Sequence, residues 1–157
     1  MKHFMWNEII SMYIPQEPDR TTDQQKGECI KHRILNGRRV PYIHHFTKPE
    51  VEIYHKKLAY HLLRYRPDEP ITGPVAIYIT FCFKARRKKD IGEAKVTKPD
   101  LDNMAKGILD VLTKLRFWED DNQICEMKLV KLWTSEDHIG TFINLYYDQV
   151  REEEEKK

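Results

Sequence analysis

The nine residues Val75-Ala-Ile-Tyr-Ile-Thr-Phe-Cys-Phe83 form the most strand-like segment of the sequence. Side chains alternate between the two faces of a strand, and the odd-numbered positions here are all large and apolar: Val75, Ile77, Ile79, Phe81 and Phe83. The even-numbered positions carry no charge either. A strand without charge on either face is typical of the middle of a sheet, so we predict a central strand.

One helix is predicted before this strand in the sequence and another after it. Thr47-Lys-Pro-Glu50 has the form of a capping box, in which the Thr47 and Glu50 side chains would bond backbone amides at a helix start. That helix should end near Arg66, because Pro67 disfavours helical geometry in the residue before it. The second helix is indicated by apolar residues three and four apart: Leu101, Met104, Ile108, Val111 and Leu115.

Five further strand-like segments complete the prediction. Ile9–Ile14 has the composition of an edge strand, and Asn36-Gly37 suits the tight turn of a hairpin between residues 30–35 and 40–46. The segments 124–134 and 141–148 are strand-like, and the residues between them suit a hairpin connection. The chain is therefore predicted to be α+β, with a mixed, mostly antiparallel sheet that carries two amphipathic helices on one face.

Composition limits the possible classes of protein. With 157 residues and 40% hydrophobic content, we expect one domain over residues 1–150, followed by a charged tail over 151–157. The longest apolar run has nine residues, too short to cross a membrane as a helix. The three cysteines are odd in number and far apart, which fits neither a disulfide framework nor a zinc site. We therefore expect a reducing, cytoplasmic location.

Positive charge is concentrated between residues 84 and 98. The segment holds seven basic residues, namely Lys84, Arg86, Arg87, Lys88, Lys89, Lys95 and Lys98. Only Asp90 and Glu93 oppose them, so the segment is net +5 in a chain whose formal charge is +2. Such a loop attracts a phosphate backbone, although a basic run taken alone is more often an ordinary solvated loop.

Acidic residues follow this basic loop at once. Asp100 and Asp102 lie where the second helix begins, and Lys106 follows Asp102 on the same helix face. Such acids could simply favour the positive end of the helix dipole. A further acidic turn, Trp118-Glu-Asp-Asp-Asn-Gln123, could return towards them. Converging carboxylates repel one another unless a hard cation such as Mg²⁺ joins them, and an adjacent cationic loop suggests phosphodiester chemistry. This pattern does not choose between Asp120 and Asp121.

The run from Lys98 to Ile124 resembles the signature of the RusA family of Holliday junction resolvases, small endonucleases of bacteria and their prophages. The resemblance covers about residues 75–148, whereas the N-terminal half departs from the family pattern. It implies that Asp100, Asp102 and Asp121 bind Mg²⁺ and that Lys106 assists catalysis.

The resemblance implies a Mg²⁺-dependent endodeoxyribonuclease that cuts four-way DNA junctions in recombination and repair. Two symmetric cuts need two sets of carboxylates, so a homodimer is expected, and the family implies the same. Two alternatives stay open at this point. The chain could be a DNA-binding module without catalysis, or a metal nuclease that acts on flaps or other branched DNA.

Overall fold

The computed structural model describes residues 6–21 and 26–148. Its six strands are β1 (Glu8–Ile14), β2 (Lys26–Leu35), β3 (Arg38–Thr47), β4 (Val75–Lys84), β5 (Ile124–Thr134) and β6 (Gly140–Tyr147). Its two α-helices are α1 (Pro49–Leu62) and α2 (Leu101–Lys114). Short 3₁₀ turns include Lys88–Asp90 and Asp121–Gln123. The α+β class predicted from the sequence is confirmed.

Four strands form the main sheet in the order β1-β6-β4-β5. β4 lies between an antiparallel neighbour, β6, and a parallel neighbour, β5. The central position of β4 is therefore confirmed, as is the edge position of β1. A parallel pair needs a crossover connection, and here α2 provides it between β4 and β5. Because of this crossover, α2 begins near the end of β4 and ends near the start of β5.

The core lies between the sheet and the two helices. The odd-numbered residues of β4 are all at most 3% exposed, and they join apolar residues of α1 and α2 in one cluster. The apolar positions predicted for α2 are buried at Met104, Ile108 and Val111. This packing fixes the axis of α2 across the sheet and thereby the places of the residues at its two ends.

β2 and β3 form a separate two-stranded sheet. Its turn is Asn36-Gly37, where both residues have positive φ angles, 50° and 73°. The predicted hairpin is confirmed, and the turn uses the backbone geometry that favours this dipeptide. Nearly all its side chains are exposed, and β2 and β3 pair only with each other among the described residues.

Two details differ from the sequence predictions. The residue before α1 is Lys48, and no side chain caps the helix, because Thr47 still belongs to β3 and Pro49 occupies the first turn. The capping-box prediction was therefore wrong, although the helical segment does end at Arg66 as expected.

The second difference concerns the last two strands. β5 and β6 do not pair as a hairpin, because β4 lies between them and bonds to both. β4 is apolar on both faces, which makes it the strand best suited to have two neighbours.

The tail predicted over 151–157 lies outside the described residues. In the described ranges, no helix has the length and apolar character needed to cross a membrane.

Candidate functional site

The basic loop between β4 and α2 is bonded to the outer edge of β5. The Gly92 amide donates to the Trp133 carbonyl at 2.9 Å, and the Trp133 amide donates to the backbone carbonyl of Glu93 at 2.9 Å. Two residues further on, the Lys95 amide donates to the Lys131 carbonyl at 3.0 Å. The loop therefore runs as an added strand segment along the second half of β5 instead of extending freely into solvent.

Lys95 anchors this loop. Its side chain is 6% exposed, and its ammonium lies 4.8 Å from the ring centroids of both Phe83 and Trp133. The same ammonium donates to the carbonyls of Thr97 at 3.0 Å and Lys98 at 2.6 Å, and to the Thr97 hydroxyl. Burial lowers the pKa of Lys95, and the Lys131 cation lowers it further. All three donors of the Lys95 ammonium are therefore used inside the fold, and its predicted contact with DNA stays a prediction.

Two other cations of the predicted DNA-binding set have acidic partners. Lys84 pairs with Glu136, and the Arg87 guanidinium holds both oxygens of Asp90 at 2.8 and 2.9 Å. The hydrogen bonds from Arg87 lower the pKa of Asp90 below its usual range. Within the described ranges, four exposed cations of this loop have no ion-pair partner: Arg86, Lys88, Lys89 and Lys98.

Two of these four, Arg86 and Lys98, line an open groove of about 800 Å³ beside the start of α2, together with Arg87 and Lys95. Arg20, from the segment after β1, also lines this groove. Sequence reasoning missed Arg20, because only the fold brings it next to residues 86–98. The groove therefore extends the cationic surface beyond the loop itself.

Lys131 positions the segment that leads into α2. From β5, its ammonium donates to the carbonyls of Thr97 at 2.7 Å and Pro99 at 2.6 Å. Together with Lys95 it binds the three carbonyls that precede Asp100. Lys131 was not predicted from the sequence, since its partners lie more than thirty residues away along the chain.

Asp100 and Asp102 lie at the N-terminal end of α2. Asp100 occupies the N-cap position, but its side chain makes no capping hydrogen bond, and Asp102 is in the first turn. Both side chains are exposed, and neither carboxylate bonds to another described residue. The Asp100 side chain therefore does not cap α2.

Lys106 is exposed one turn further along α2. It lines a second groove, of about 320 Å³, with Glu52 and His55 of α1. Lys26 and Thr47, at the base of the hairpin, line the same groove. The predicted catalytic lysine thus lies between the acidic end of α2 and the place where the hairpin leaves the fold.

The acidic turn before β5 distinguishes its two aspartates. Asp120 caps the turn, since its carboxylate accepts from the Asn122 amide at 2.9 Å. The Gln123 side chain accepts from the Asp120 amide and donates to the carbonyls of Ile71 and Gly73, both at 2.8 Å. Asp121 is exposed, and its carboxylate has no bonding partner in the described part of the chain. The geometry thus leaves Asp121, and not Asp120, available to a ligand.

The three aspartates do not converge within one chain. Asp100 precedes α2 and Asp121 follows its other end, so the fourteen-residue helix separates them by on the order of 20 Å. Accordingly, no group of three or more His, Cys, Asp or Glu side chains in the described residues is arranged to hold a metal. The expectation that the turn returns to the helix start was wrong, because β5 runs back along α2 only after Asp121.

The start of α2 nevertheless has the donors that a hard cation requires. Asp100 and Asp102 offer carboxylate oxygens that are exposed and not neutralised by a neighbouring side chain. Mg²⁺ prefers a few carboxylates together with water and substrate phosphate oxygens. The adjacent cationic groove would bring such a phosphate, so the residues present fit a divalent ion shared with DNA.

Comparison with known proteins identifies the family. The family model described as "Endodeoxyribonuclease RusA" matches residues 30–146. A crossover junction endodeoxyribonuclease, rusA, of Lactococcus phage r1t is 31% identical over 120 residues, which cover 71% of this chain and 79% of the phage protein. The uncharacterized protein YqaN of Bacillus subtilis (strain 168) is 30% identical over 111 residues, 63% of this chain and 78% of that protein. With the match extending from the hairpin to β6, the chain belongs to the RusA family of endodeoxyribonucleases.

Proposed function

We propose that the chain is a Mg²⁺-dependent endonuclease that resolves four-way DNA junctions by symmetric cleavage, in recombination and repair in the cytoplasm. The observation that carries this proposal is the pair of unpartnered carboxylates, Asp100 and Asp102, beside a groove lined by cations. A fold that leaves two acids uncompensated next to clustered positive charge favours a ligand containing both a cation and phosphates.

Each group has a defined role in this proposal. Asp100 and Asp102 would hold Mg²⁺, which when bound supplies Lewis-acid chemistry and a nucleophile at neutral pH. Arg86, Lys88 and Lys89 would bind the phosphates of the arms. The exposed ammonium of Lys106 would stabilise negative charge that develops on the phosphate as the bond breaks.

A homodimer would complete the site. One chain separates Asp121 from Asp100 and Asp102 by the length of α2. We therefore infer that Asp121 of one copy joins Asp100 and Asp102 of the other. A two-fold dimer would then contain two complete sites, and its symmetry would match that of the two equivalent strands in a junction.

A cleavage panel tests the activity. Four-way junctions, flaps, forks and linear duplex would be incubated with Mg²⁺, Ca²⁺ or EDTA. We expect Mg²⁺-dependent cuts in junctions, and we expect Asp102→Asn to lower the rate about a hundredfold or more while binding is kept. Cleavage of the Asp102→Asn protein within tenfold of wild type would remove Asp102 from the site. Binding without cleavage of any substrate would instead support a non-catalytic module.

Mixing two inactive variants tests the shared site. In a dimer of Asp102→Asn with Asp121→Asn, one site contains both substitutions, and the other contains neither if Asp121 acts across the interface. After the subunits exchange, half of the dimers are mixed and each of these has one intact site. About a quarter of all sites should then be active, and nicking activity should reappear. If all three residues acted within one chain, every mixed dimer would be inactive. Asp120→Asn serves as the control, since Asp120 caps its own turn.

A further inference from the structure

The β2–β3 hairpin exposes both of its faces. Large apolar side chains on it are strongly exposed, with Ile30 at 71%, Ile34 at 78% and Ile43 at 61%. A two-stranded hairpin is marginally stable in water when nothing packs on it. So exposed an element is unusual for a purely structural role, and it suggests a surface for a partner.

The strand register divides the hairpin into two different faces. Residues opposite each other in an antiparallel pair share a face. The pairs Gly27–Phe46, Cys29–His44, Lys31–Tyr42, Arg33–Val40 and Leu35–Arg38 therefore form one face. We call it the cationic–aromatic face, because it combines Lys31, Arg33 and Arg38 with Tyr42, His44 and Phe46. The opposite face carries Ile30, Ile34 and Ile43.

The aromatic rings of the cationic–aromatic face form a continuous row along β3. The centroids of Tyr42 and His44 are 6.4 Å apart, and those of His44 and Phe46 are also 6.4 Å apart. The Arg33 guanidinium lies 5.7 Å from the Tyr42 ring. Phe46 covers Gly27, where an added Cβ would clash with the ring, so Phe46 closes the row at the base of the hairpin. Tyr42, at 37%, and Phe46, at 41%, are the more exposed rings of the row, and His44 between them is half-buried.

Charge is also unevenly divided between the two faces. Residues 26–47 hold five basic residues against Glu28 alone, so the hairpin is net +4. Glu28 lies on the opposite face, where it contacts His45 at 3.1 Å. The cationic–aromatic face thus has three cations and no acid. The hairpin and the basic loop together carry +9, which leaves −7 for the rest of a chain of formal charge +2.

We propose that the cationic–aromatic face of the hairpin binds unpaired nucleotides of the DNA substrate. Arg33, Lys31 and Arg38 would contact phosphates, and Tyr42 and His44 would stack on bases. Rows of aromatic rings between cations are how proteins bind single strands without reading their sequence. Duplex bases are stacked on each other and offer no free face within an arm, so the ligand would be single-stranded.

The base of the hairpin lies beside the proposed site of cleavage, since Lys26 and Thr47 share a groove with Lys106 of α2. By register the Lys26–Thr47 pair belongs to the opposite face, so this proximity applies to the hairpin as a whole and does not favour either face. This inference deepens the proposed function, since it names the part of a branched substrate that the hairpin would bind, but binding can be measured without any cleavage.

The test compares the two faces of the hairpin. Binding of a fluorescent single-stranded oligonucleotide and of a matched duplex would be measured in EDTA, where no metal-dependent cleavage occurs. We expect Tyr42→Ala to weaken single-strand binding about tenfold and Arg33→Ala about threefold, with smaller effects on duplex. The controls are Ile43→Ala and Arg39→Ala, which make equivalent changes on the opposite face and should stay within twofold.

A stacking signal separates base contact from loss of folding. An oligonucleotide containing 2-aminopurine should lose fluorescence on binding wild type and Tyr42→Phe but not Tyr42→Leu, which keeps apolar bulk without a ring. The inference would be overturned if substitutions on the two faces weakened single-strand binding equally. It would also be overturned if the Tyr42→Leu protein still quenched 2-aminopurine fluorescence. A change in oligomeric state with unchanged DNA binding would overturn it as well. If only the proposed function failed, the β2–β3 hairpin would still bind single strands, but no branched substrate would be cleaved.

Discussion

The basic loop and the hairpin have similar net charge but opposite structural support. The loop is bonded to β5, and its most buried cation, Lys95, lies against two aromatic rings. The hairpin makes its own two-stranded sheet and exposes nearly every side chain. In the loop, three of seven basic residues are used internally or paired with acids, whereas the cationic–aromatic face has no acid at all.

The net charge counted from the sequence therefore differs from the number of cations that are free to bind phosphate. A sequence count places +5 on the loop and +4 on the hairpin, but only the fold shows which cations remain free for phosphate. Surface ion pairs contribute little to stability, so the pairs in the loop chiefly limit which residues can bind DNA.

Removal of the Lys95 anchor should have the largest effect. Lys95→Ala deletes three hydrogen bonds and two cation–π contacts, and we expect the free energy of unfolding to fall by about 2–3 kcal/mol. Chemical denaturation would measure it. Lys89→Ala, an exposed cation in the same loop, should change stability by less than about 0.5 kcal/mol. Equal effects of the two substitutions would show that the loop is not anchored.

Lys131→Met should weaken catalysis more than folding. Without the ammonium, the carbonyls of Thr97 and Pro99 lose their shared donor and the segment before Asp100 becomes less fixed. We expect cleavage to fall about 10- to 100-fold, with half-saturation at higher Mg²⁺. Lys131→Arg should restore part of the rate. An unchanged Mg²⁺ dependence would mean that Lys131 does not position Asp100.

Replacement of the free loop cations should reduce the salt dependence of binding. The triple variant Arg86→Ala, Lys88→Ala, Lys89→Ala should flatten the slope of log K against log salt by up to about 0.9 per lost contact on duplex. Arg87→Ala alone should flatten it less, since Arg87 is bonded to Asp90. Measurements between about 50 and 200 mM salt cover the useful range. If the triple variant instead lost affinity for single strands alone, the loop would also bind unpaired nucleotides, and the loop and the hairpin would not have separate roles.

Two glycines allow a direct comparison of the hairpin and the basic loop, and here the smallest effects are expected. Gly37 in the hairpin and Gly92 in the loop have φ angles of +73° and +90°, and neither would meet another atom within 4 Å on gaining a Cβ. Valine at either position adds backbone strain of about 1–2 kcal/mol. Gly92→Val should lower global stability, because its amide is bonded to β5. Gly37→Val should increase hydrogen exchange in the hairpin alone.

Local patterns predicted most of the fold. The alternation in β4, the apolar spacing in α2 and the Asn36-Gly37 turn are short-range signals that the structure confirms. The wrong hairpin between β5 and β6 came from a long-range choice, since adjacent strands usually pair but here both pair with β4.

The site was harder to predict for the same reason. The motif marked Asp100, Asp102 and Asp121, but only the crossover through α2 shows that they lie at opposite ends of a helix. The bonds from Lys131 and the burial of Lys95 also depend on partners distant in sequence or hidden in the core. Charge and spacing alone contain neither kind of information.

The anchoring of Lys95 also has a consequence for entropy. A disordered basic tail must lose conformational freedom when it binds DNA, and that loss reduces its affinity. Because the segment after Lys95 is already held at the carbonyls of Thr97 and Lys98, its ordering occurs when the protein folds. The loop therefore meets phosphate preorganised, and more of its electrostatic attraction remains as binding free energy.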